Sequence, residues 1–253
     1  MIDTKLSVCR TAFASWRDGP AALRNMSMMA AIIFVVMALD TAVNEALRQA
    51  AVPETMVPSQ LVRVALSIFL LSFILTPAAI AINRYVQRGE IARRYVPDIS
   101  SPRFRIFFGY SSLINLLVLS PLTIGEESTD IYIVGALAVF ALVAIIVLAA
   151  TWILFPAIAV DAPGANLGNA VRDTRFFRAL AISFVTFFPA LVAGLLIEVL
   201  WEVTPVASKL GWFLYVLGIA AVSSLGFAAL AAMSSHLYRA WADRLGQPAD
   251  GVS

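Results

Sequence analysis

The side chains able to do chemistry are few in this chain of 253 residues, and they are far apart. Cys9 is the single cysteine and His236 the single histidine, so neither a disulfide nor a zinc site of three or four ligands is expected. Glu126 and Glu127 would suit a membrane protease of the Glu-Glu-x-x-x-Arg type, but Ile131 stands where that protease needs arginine. No G-x-S-x-G, H-E-x-x-H, P-loop or G-x-G-x-x-G motif occurs. These features predict a protein that is not an enzyme and that uses no metal or cofactor.

The composition excludes most soluble classes of protein. Hydrophobic residues make up 60% of the chain and charged residues 13%, and the mean hydropathy is +0.86. A soluble chain is about 45–50% apolar and about 25% charged. The composition therefore excludes an ordinary soluble globule, a disordered chain and a nucleic-acid-binding module. It also leaves no length for a large catalytic domain outside a membrane.

Long apolar runs predict an all-α integral membrane protein with six transmembrane helices in one bundle. A bilayer-spanning helix needs about 20 mostly apolar residues. Six runs meet this need, at about 26–48, 62–84, 104–123, 131–157, 178–200 and 211–236. We divide the chain into an N-terminal segment of residues 1–25, a membrane domain of residues 26–238 and a tail of residues 239–253.

The distribution of positive charge predicts the orientation of the spans. With the N-terminus inside, 15 of the 18 cations fall in inner segments, and Arg48, Arg63 and Lys209 fall outside. The inner segments are 1–25, 84–105, 160–178 and 237–253. Because cytoplasmic loops carry the excess of Lys and Arg, both termini are expected in the cytoplasm. Sixteen of the cations are arginine, and this composition favours a bacterial inner membrane.

The N-terminal segment has a helical pattern of its own. Leu6, Cys9, Phe13 and Trp16 recur at helical spacing, and Gly19-Pro20 is expected to break the helix. Two placements stay open. The helix lies on the inner leaflet with its apolar face in the lipid, or it packs against the underside of the bundle.

Arginines of the inner segments are the candidate contacts for anionic lipid headgroups. Such contacts contribute about 1 kcal/mol per cation near the surface. The alternative is that these charges only orient the chain. The candidates are Arg84, Arg88, Arg93, Arg94, Arg103, Arg105, Arg172 and Arg175. The partners expected from this pattern are membrane lipids, together with a protein partner or a second copy of the chain, and not nucleic acid.

Four polar residues fall inside or at the ends of the predicted spans, where polar groups are often functional. They are Asp40, Asn115, Glu198 and His236. Asp40 follows Arg24 by sixteen residues, or roughly 24 Å of helix, which places it near the outer interface. The alternative for each residue is a structural hydrogen bond or ion pair.

Prolines and small residues indicate how the helices bend and pack. Pro77, Pro156 and Pro189 fall within predicted spans, where proline removes a backbone hydrogen bond and favours a kink. Pro77 and Pro156 occupy the similar runs 74–78 and 153–157, 79 residues apart, which suggests either a parallel repeat or a coincidence. A stripe of small residues in the sixth span predicts close helix packing or a homodimer. The stripe consists of Ala220, Ser224, Ala228 and Ala232.

A family resemblance rests on the sequence around the second of these prolines. Residues 152–161 read WILFPAIAVD, and residues 169–180 read NAVRDTRFFRAL. This pattern resembles the membrane-domain family of the glycerophosphoryl diester phosphodiesterases and its relatives among six-span bacterial inner-membrane proteins. Since the phosphodiesterase activity needs a separate barrel domain with metal ligands, the resemblance implies a six-helix membrane module without that activity.

These features favour a non-enzymatic accessory or scaffold protein of the inner membrane that contacts lipid and a protein partner. The first alternative is a small transporter or channel, whose intramembrane polar residues would face one water-filled cavity. Those residues are Asn115, Thr151, Ser183, Thr186, Ser223 and Ser224. The second alternative is an enzyme that acts on lipid through Asp161 or Asp40.

Overall fold

The chain folds into a bundle of helices. The computed structural model describes residues 7–49, 57–125, 131–203, 209–242 and 245, with side chains for residues 7–46, 65–117, 143–202, 209–242 and 245. Within these residues it has eight α-helices and no strand, which confirms the all-helical prediction. The helices are α1 (Val8–Asn25), α2 (Ser27–Gln49), α3 (Val57–Arg88), α4 (Pro102–Gly125), α5 (Ile131–Ala159), α6 (Leu167–Asp173), α7 (Phe176–Val203) and α8 (Lys209–Trp241).

Each of the six predicted runs corresponds to one helix, and the ends agree within five residues. In the described part of the chain, four helices are long and apolar enough to cross a membrane. These stretches are Ser27–Ala46, Ala65–Arg88, Phe176–Glu202 and Lys209–Trp241. The protein is therefore a multi-pass membrane protein by the length and composition of its helices.

Helix α8 is the central element, because it packs against α1, α2, α3, α5 and α7. Its stripe of small residues (Ala220, Ser224, Ala228 and Ala232) is buried inside the chain. Small side chains let neighbouring backbones approach closely, which favours packing in a membrane, where lipid tails are as apolar as the helix. The stripe therefore serves packing within the bundle.

The structure corrects one expectation about the N-terminal segment. Helix α1 continues through Pro20 to Asn25 instead of ending at Gly19-Pro20. On the predicted apolar face, Cys9 is exposed and Phe13 is 74% exposed, so these two residues point away from the bundle. The buried face carries mainly small residues, namely Thr11, Ala12, Ser15, Gly19, Ala22 and Leu23.

Helix α1 packs along α8 and α7. Its inner face therefore lies against the bundle, which is one of the two placements expected from the sequence. A Cβ built on Gly19 would lie 2.6 Å from the carbonyl carbon and oxygen of Ala228. At so short a distance only glycine fits, and close packing rather than hydrophobicity selects the face that is buried. The indole Nε1 of Trp16 donates a hydrogen bond of 2.8 Å to the carbonyl oxygen of Thr186 in α7.

The three prolines lie inside helices that continue on both sides of them. Pro77 and Pro156 are buried in α3 and α5, and Pro189 is exposed on α7. The two similar runs end differently, because α3 continues to Arg88 whereas α5 ends at Ala159. The residues after them also differ, since Asn83 is helical and buried, while Asp161 is exposed in a turn with φ +55°.

The predicted tail begins later than expected. Helix α8 extends to Trp241, and both Trp241 and Leu245 are buried in a core cluster with residues of α5 and α7. A second cluster joins α1, α2, α3 and α8. The remaining tail residues, 243, 244 and 246–253, lie outside the described part of the chain.

Candidate functional site

The ends of α3, α5 and α8 and the start of α4 come together, and we call this region the basic end. The Nη2 of Arg88 donates to the carbonyl oxygen of Val160 at 2.5 Å, which joins the ends of α3 and α5. The Nε2 of Gln87 donates to the carbonyl oxygen of Ser235 at 2.6 Å, which joins α3 to α8. The structure therefore gathers chain segments that the sequence predicted to be cytoplasmic.

Three of the predicted lipid contacts at the basic end are held by other protein groups. Arg84 pairs with Glu90 through Nη2 and Oε2 at 2.5 Å, and Arg88 lies 3.7 Å from the same carboxylate. The Nε of Arg103 donates to Oδ1 of Asp161 at 2.8 Å. These three guanidinium groups therefore already have carboxylate partners. Arg88 and Arg103 also join separate segments, through Val160 and Asp161.

The other five predicted lipid contacts are exposed, and their side chains form no hydrogen bond or ion pair with any described residue. They are Arg93, Arg94, Arg105, Arg172 and Arg175. Large apolar side chains beside them are also exposed, including Ile91, Val96 and Phe177, the last at 84%. Exposed arginine interleaved with exposed apolar side chains is typical of a surface that meets the headgroup region of a bilayer.

The segment that carries Arg93 and Arg94, between α3 and α4, is anchored to the bundle. The phenol of Tyr95 donates a hydrogen bond of 2.9 Å to the carbonyl oxygen of Ile74 in α3. Burial raises the pKa of Tyr95, so the phenol stays a neutral donor. The anchor holds the two neighbouring arginines at a defined place on the surface.

A buried amide next to the basic end joins α3 to α8. Asn83 is 1% exposed, and its Oδ1 accepts hydrogen bonds from Ser235 at 2.8 Å and Ser234 at 3.1 Å. Its Nδ2 donates to the carbonyl oxygen of Ala79 at 2.8 Å. Sequence reasoning missed this contact, because the residues are more than 150 positions apart. The only available signal was an amide and two hydroxyls at the ends of apolar runs.

His236 joins α8 to α1 instead of standing alone. Its Nε2 lies 3.1 Å from Oδ2 of Asp18, and Asp18 also accepts a hydrogen bond of 2.7 Å from Nε of Arg17. Burial alone would raise the pKa of Asp18. The hydrogen bond and charge of Arg17, together with His236, outweigh burial and hold that pKa below its ordinary value.

The opposite end of the bundle holds the two acids expected near the outer interface. Asp40 and Glu198 line one cavity of about 360 Å³, which we call the acidic cavity, together with Glu45 and Glu202. Glu198 follows the first residue of α7 by 22 residues, or roughly 33 Å of helix, which separates this cavity from the basic end. No cluster of three potential metal ligands occurs among the described residues.

The position of the acidic cavity bears on the enzyme alternative. Asp40 lines this cavity, whereas Asp161 is paired with Arg103 at the basic end. The two carboxylates proposed for lipid chemistry therefore lie at opposite ends of the bundle and cannot act as one acid–base pair.

A second cavity, which we call the central cavity, has a volume of about 370 Å³ and lies between α3, α4, α5 and α8. Asn115 lines it and donates from Nδ2 to Oγ of Ser72 at 3.2 Å. The transporter alternative placed six polar residues in one cavity, and that expectation is wrong. Of the six, only Asn115 lines the central cavity, and Ser223 lines the acidic cavity.

Three of the remaining residues bond to their own helices. Thr151, Ser183 and Ser224 donate to carbonyl oxygens three or four residues earlier, at 2.7 Å in each case. A hydroxyl that bonds to its own helix is satisfied without water. These three residues are therefore structural.

Comparison with known proteins adds no relative to this description. No family model, no curated protein and no solved structure matches the chain.

Proposed function

We propose that this protein is a non-enzymatic accessory protein of the membrane that holds anionic lipid headgroups at its basic end. The five exposed arginines beside exposed apolar side chains are the observation that carries this proposal. Each cation near an anionic surface contributes about 1 kcal/mol, so several together hold a lipid layer firmly. Arg84, Arg88 and Arg103 position the surface through their bonds to other segments.

We also propose six spans with both termini on the cytoplasmic side of a bacterial inner membrane. Helices α4 and α5 have 24 and 29 residues, and each is longer than the roughly 20 residues that a span requires. Exposed arginines gather at the basic end, and the acidic cavity lies at the opposite end. The positive-inside rule favours the cytoplasmic side for the end that is rich in arginine.

Cysteine labelling tests this topology. Replacing Cys9 with serine removes the single cysteine, and new cysteines are then placed at Asn44, Arg94 or Glu127. An impermeant maleimide added to intact spheroplasts should label positions 44 and 127 and should label position 94 only after lysis. Because Glu127 stands between α4 and α5, its protection in intact cells would contradict six spans.

Native mass spectrometry of the protein in lipid discs tests lipid binding. Replacing Arg93, Arg94, Arg172 and Arg175 with glutamine should lower retention of phosphatidylglycerol by about tenfold or more, since four cations are lost. Retention of phosphatidylcholine should not change. The matched control replaces Glu198 and Glu202 with glutamine, which changes charge at the opposite end. Equal phosphatidylglycerol retention by all three proteins would refute the proposal.

The same spectra report a protein partner or a second copy of the chain, which the accessory role includes. The resemblance of residues 152–161 and 169–180 to the glycerophosphoryl diester phosphodiesterase membrane domains supports this role, since that likeness implies a membrane module without the catalytic barrel. A stoichiometric partner in the native complex would identify the system that the protein serves.

Transport is the second candidate, and one observation favours it. A third cavity of about 410 Å³ lies between α7 and α8. It shares Glu198 and Ser223 with the acidic cavity, and it shares Phe227 and Leu230 with the central cavity. The three cavities therefore adjoin one another along α8.

Water access along α8 separates this candidate from the accessory role. Single cysteines at Ser223 and Ser234, in the protein with Cys9 replaced by serine, should both react with a small water-soluble maleimide if a path crosses the bundle. A cysteine at Ala232, which is fully buried on α8, is the control. Failure of both test positions to react would remove the transport candidate.

A further inference from the structure

The central cavity is elongated and lies within the apolar part of the bundle. Along α3 its lining extends from Ile68 to Asn83, which is 15 residues or roughly 22 Å of helix. Asn83 and Ser234 line the part of it nearest the basic end, where Ser234 donates a hydrogen bond to Oδ1 of Asn83. Its volume of about 370 Å³ lies within the range of ligand pockets in other proteins.

The chemistry of the lining excludes a charged occupant. None of the described residues that line the central cavity is Asp, Glu, Lys, Arg or His. A charge placed there would lose its hydration without gaining an ionic partner, at a large cost in free energy. The walls are mostly aliphatic and aromatic, and the rings of Phe107 and Phe155 stack with centroids 4.5 Å apart.

One group of polar side chains in this mostly apolar lining consists of Ser72, Ser111 and Asn115, and we call it the polar corner. Asn115 is exposed, and its Nδ2 donates to Oγ of Ser72. Its Oδ1 and the hydroxyl of Ser111 have no hydrogen-bond partner among the described residues. The corner therefore offers an acceptor and a hydroxyl to an uncharged oxygen group of a ligand.

We propose that the central cavity binds an uncharged, single-chain lipid with its hydrocarbon chain along α3 and a hydroxyl or carbonyl oxygen at the polar corner. The surrounding membrane supplies such molecules, and a long chain fits a long cavity. Ser72 precedes Arg88 by 16 residues, or roughly 24 Å, which puts the corner toward the end of the bundle opposite the basic end. The lining offers no charged partner to a phosphate headgroup, so a neutral lipid is the better occupant.

Photolabelling of the full-length protein in lipid discs tests this proposal. The probe is a long-chain alcohol with a photoreactive diazirine, and the labelled peptides are identified by mass spectrometry. Labelling should concentrate on α5 and α8 peptides that contain Trp152 and Phe227, which line the cavity. Labelling spread evenly over the exposed apolar residues of α7 would overturn the proposal.

Substitutions in the lining test whether the cavity itself is the site. Replacing Ala231, which lines the cavity, with leucine should lower labelling by about tenfold, because the larger side chain excludes about two methylene groups. The matched control replaces exposed Ala181 on α7 with leucine and should label like the wild type. Wild-type labelling of the Ala231 variant would also overturn the proposal.

The polar corner has its own test. Replacing Asn115 with leucine should lower labelling by the alcohol by about fivefold, the effect of one lost hydrogen bond. It should not lower labelling by a diazirine alkane that lacks the hydroxyl. An equal loss with both probes would show that the corner does not recognise oxygen.

Competition between the probe and unlabelled lipids can be measured on the wild-type protein. It identifies which kind of lipid supplies the hydrocarbon chain in the cavity. Excess unlabelled long-chain alcohol should protect the cavity peptides, and excess phosphatidylglycerol should not. Protection by phosphatidylglycerol alone would overturn the proposal in favour of a phospholipid tail.

Discussion

At Gly19 the lack of a side chain sets how closely two helices approach. A Cβ at this position would lie 2.6 Å from backbone atoms of Ala228 and 2.7 Å from the amide nitrogen of Ala229. Backbone atoms inside a helix cannot rotate away, so any larger residue must move α1 off α8. Sequence periodicity did not reveal this position, because it treated glycine as a helix breaker.

Replacing Gly19 with alanine should therefore destabilise the protein. The expected loss is about 1–3 kcal/mol, as for other overpacked sites, measured by thermal unfolding in detergent. The control replaces Gly109 on α4 with alanine, where a Cβ would meet no atom within 4 Å. That control should be neutral or slightly stabilising, because alanine favours the helix. Equal melting temperatures for the two variants would contradict the close contact.

Asn83 is the second residue whose role the packing decides. Replacing it with leucine removes the acceptor for Ser234 and Ser235 and should cost about 1 kcal/mol, the usual scale of such bonds between membrane helices. A double-mutant cycle with Ser235 replaced by alanine should show strong non-additivity. Additive effects would mean that the two side chains do not interact.

At the scale of the element, α1 shows two faces with different tasks. Its inner face packs on α8 and α7 through small residues, and its outer face exposes Arg10, Phe13 and Arg17. Neither of the two placements expected from the sequence is sufficient alone, because the inner face meets protein and the outer face is free to meet lipid. The contact of 3.1 Å between Oδ2 of Asp18 and Nε2 of His236 joins α1 to α8 between these faces.

The lowered pKa of Asp18 predicts that the stability of α1 depends on pH. The pKa of Asp18 is lowered in the folded protein, so its contribution to stability is present above the ordinary carboxyl pKa and is lost as pH falls through the lowered value. The protection factors of α1 amides, which are their exchange rates relative to intrinsic exchange at each pH, should therefore fall as the pH is lowered from neutral to about pH 3.

The variant with Asp18 replaced by asparagine is the control for that measurement. Its α1 amides should be less protected than those of the wild type at neutral pH and should show little further loss of protection in acid. If both proteins respond to acid equally, another group is responsible for the dependence.

At the scale of the whole molecule, the two ends differ in charge and in task. The basic end carries exposed arginines among apolar side chains, and the opposite end carries the acidic cavity. Salt weakens the attraction between exposed charges, whereas it has little effect on the packing of apolar helices against one another. The Debye length falls from about 10 Å at 0.1 M salt to about 3 Å at 1 M.

Salt should therefore separate lipid binding from folding. Raising sodium chloride from about 0.1 M to 1 M should strongly reduce the retention of phosphatidylglycerol and should leave the melting temperature nearly unchanged. Native mass spectrometry and thermal unfolding of the same preparation measure the two quantities. A lipid signal that resists salt would show that retention depends on burial instead of charge.

The sequence by itself determined the helices, because a run of about 20 apolar residues is a local property that needs no knowledge of the neighbours. It also determined which segments carry arginine, and those segments do gather at one end. It predicted the two acids near the other end, Asp40 and Glu198, from simple counting along each helix. It could not show that they line one cavity.

Only the tertiary structure decided which arginines are free, which face of α1 is buried and where a cavity remains. Arg103 pairs with Asp161, 58 residues away, and Asn83 accepts a hydrogen bond from Ser235, 152 residues away. No local pattern encodes such partners, since each depends on how closely separate helices approach. In this protein small residues set that approach, above all Gly19, because they leave space for the backbone of a neighbouring helix.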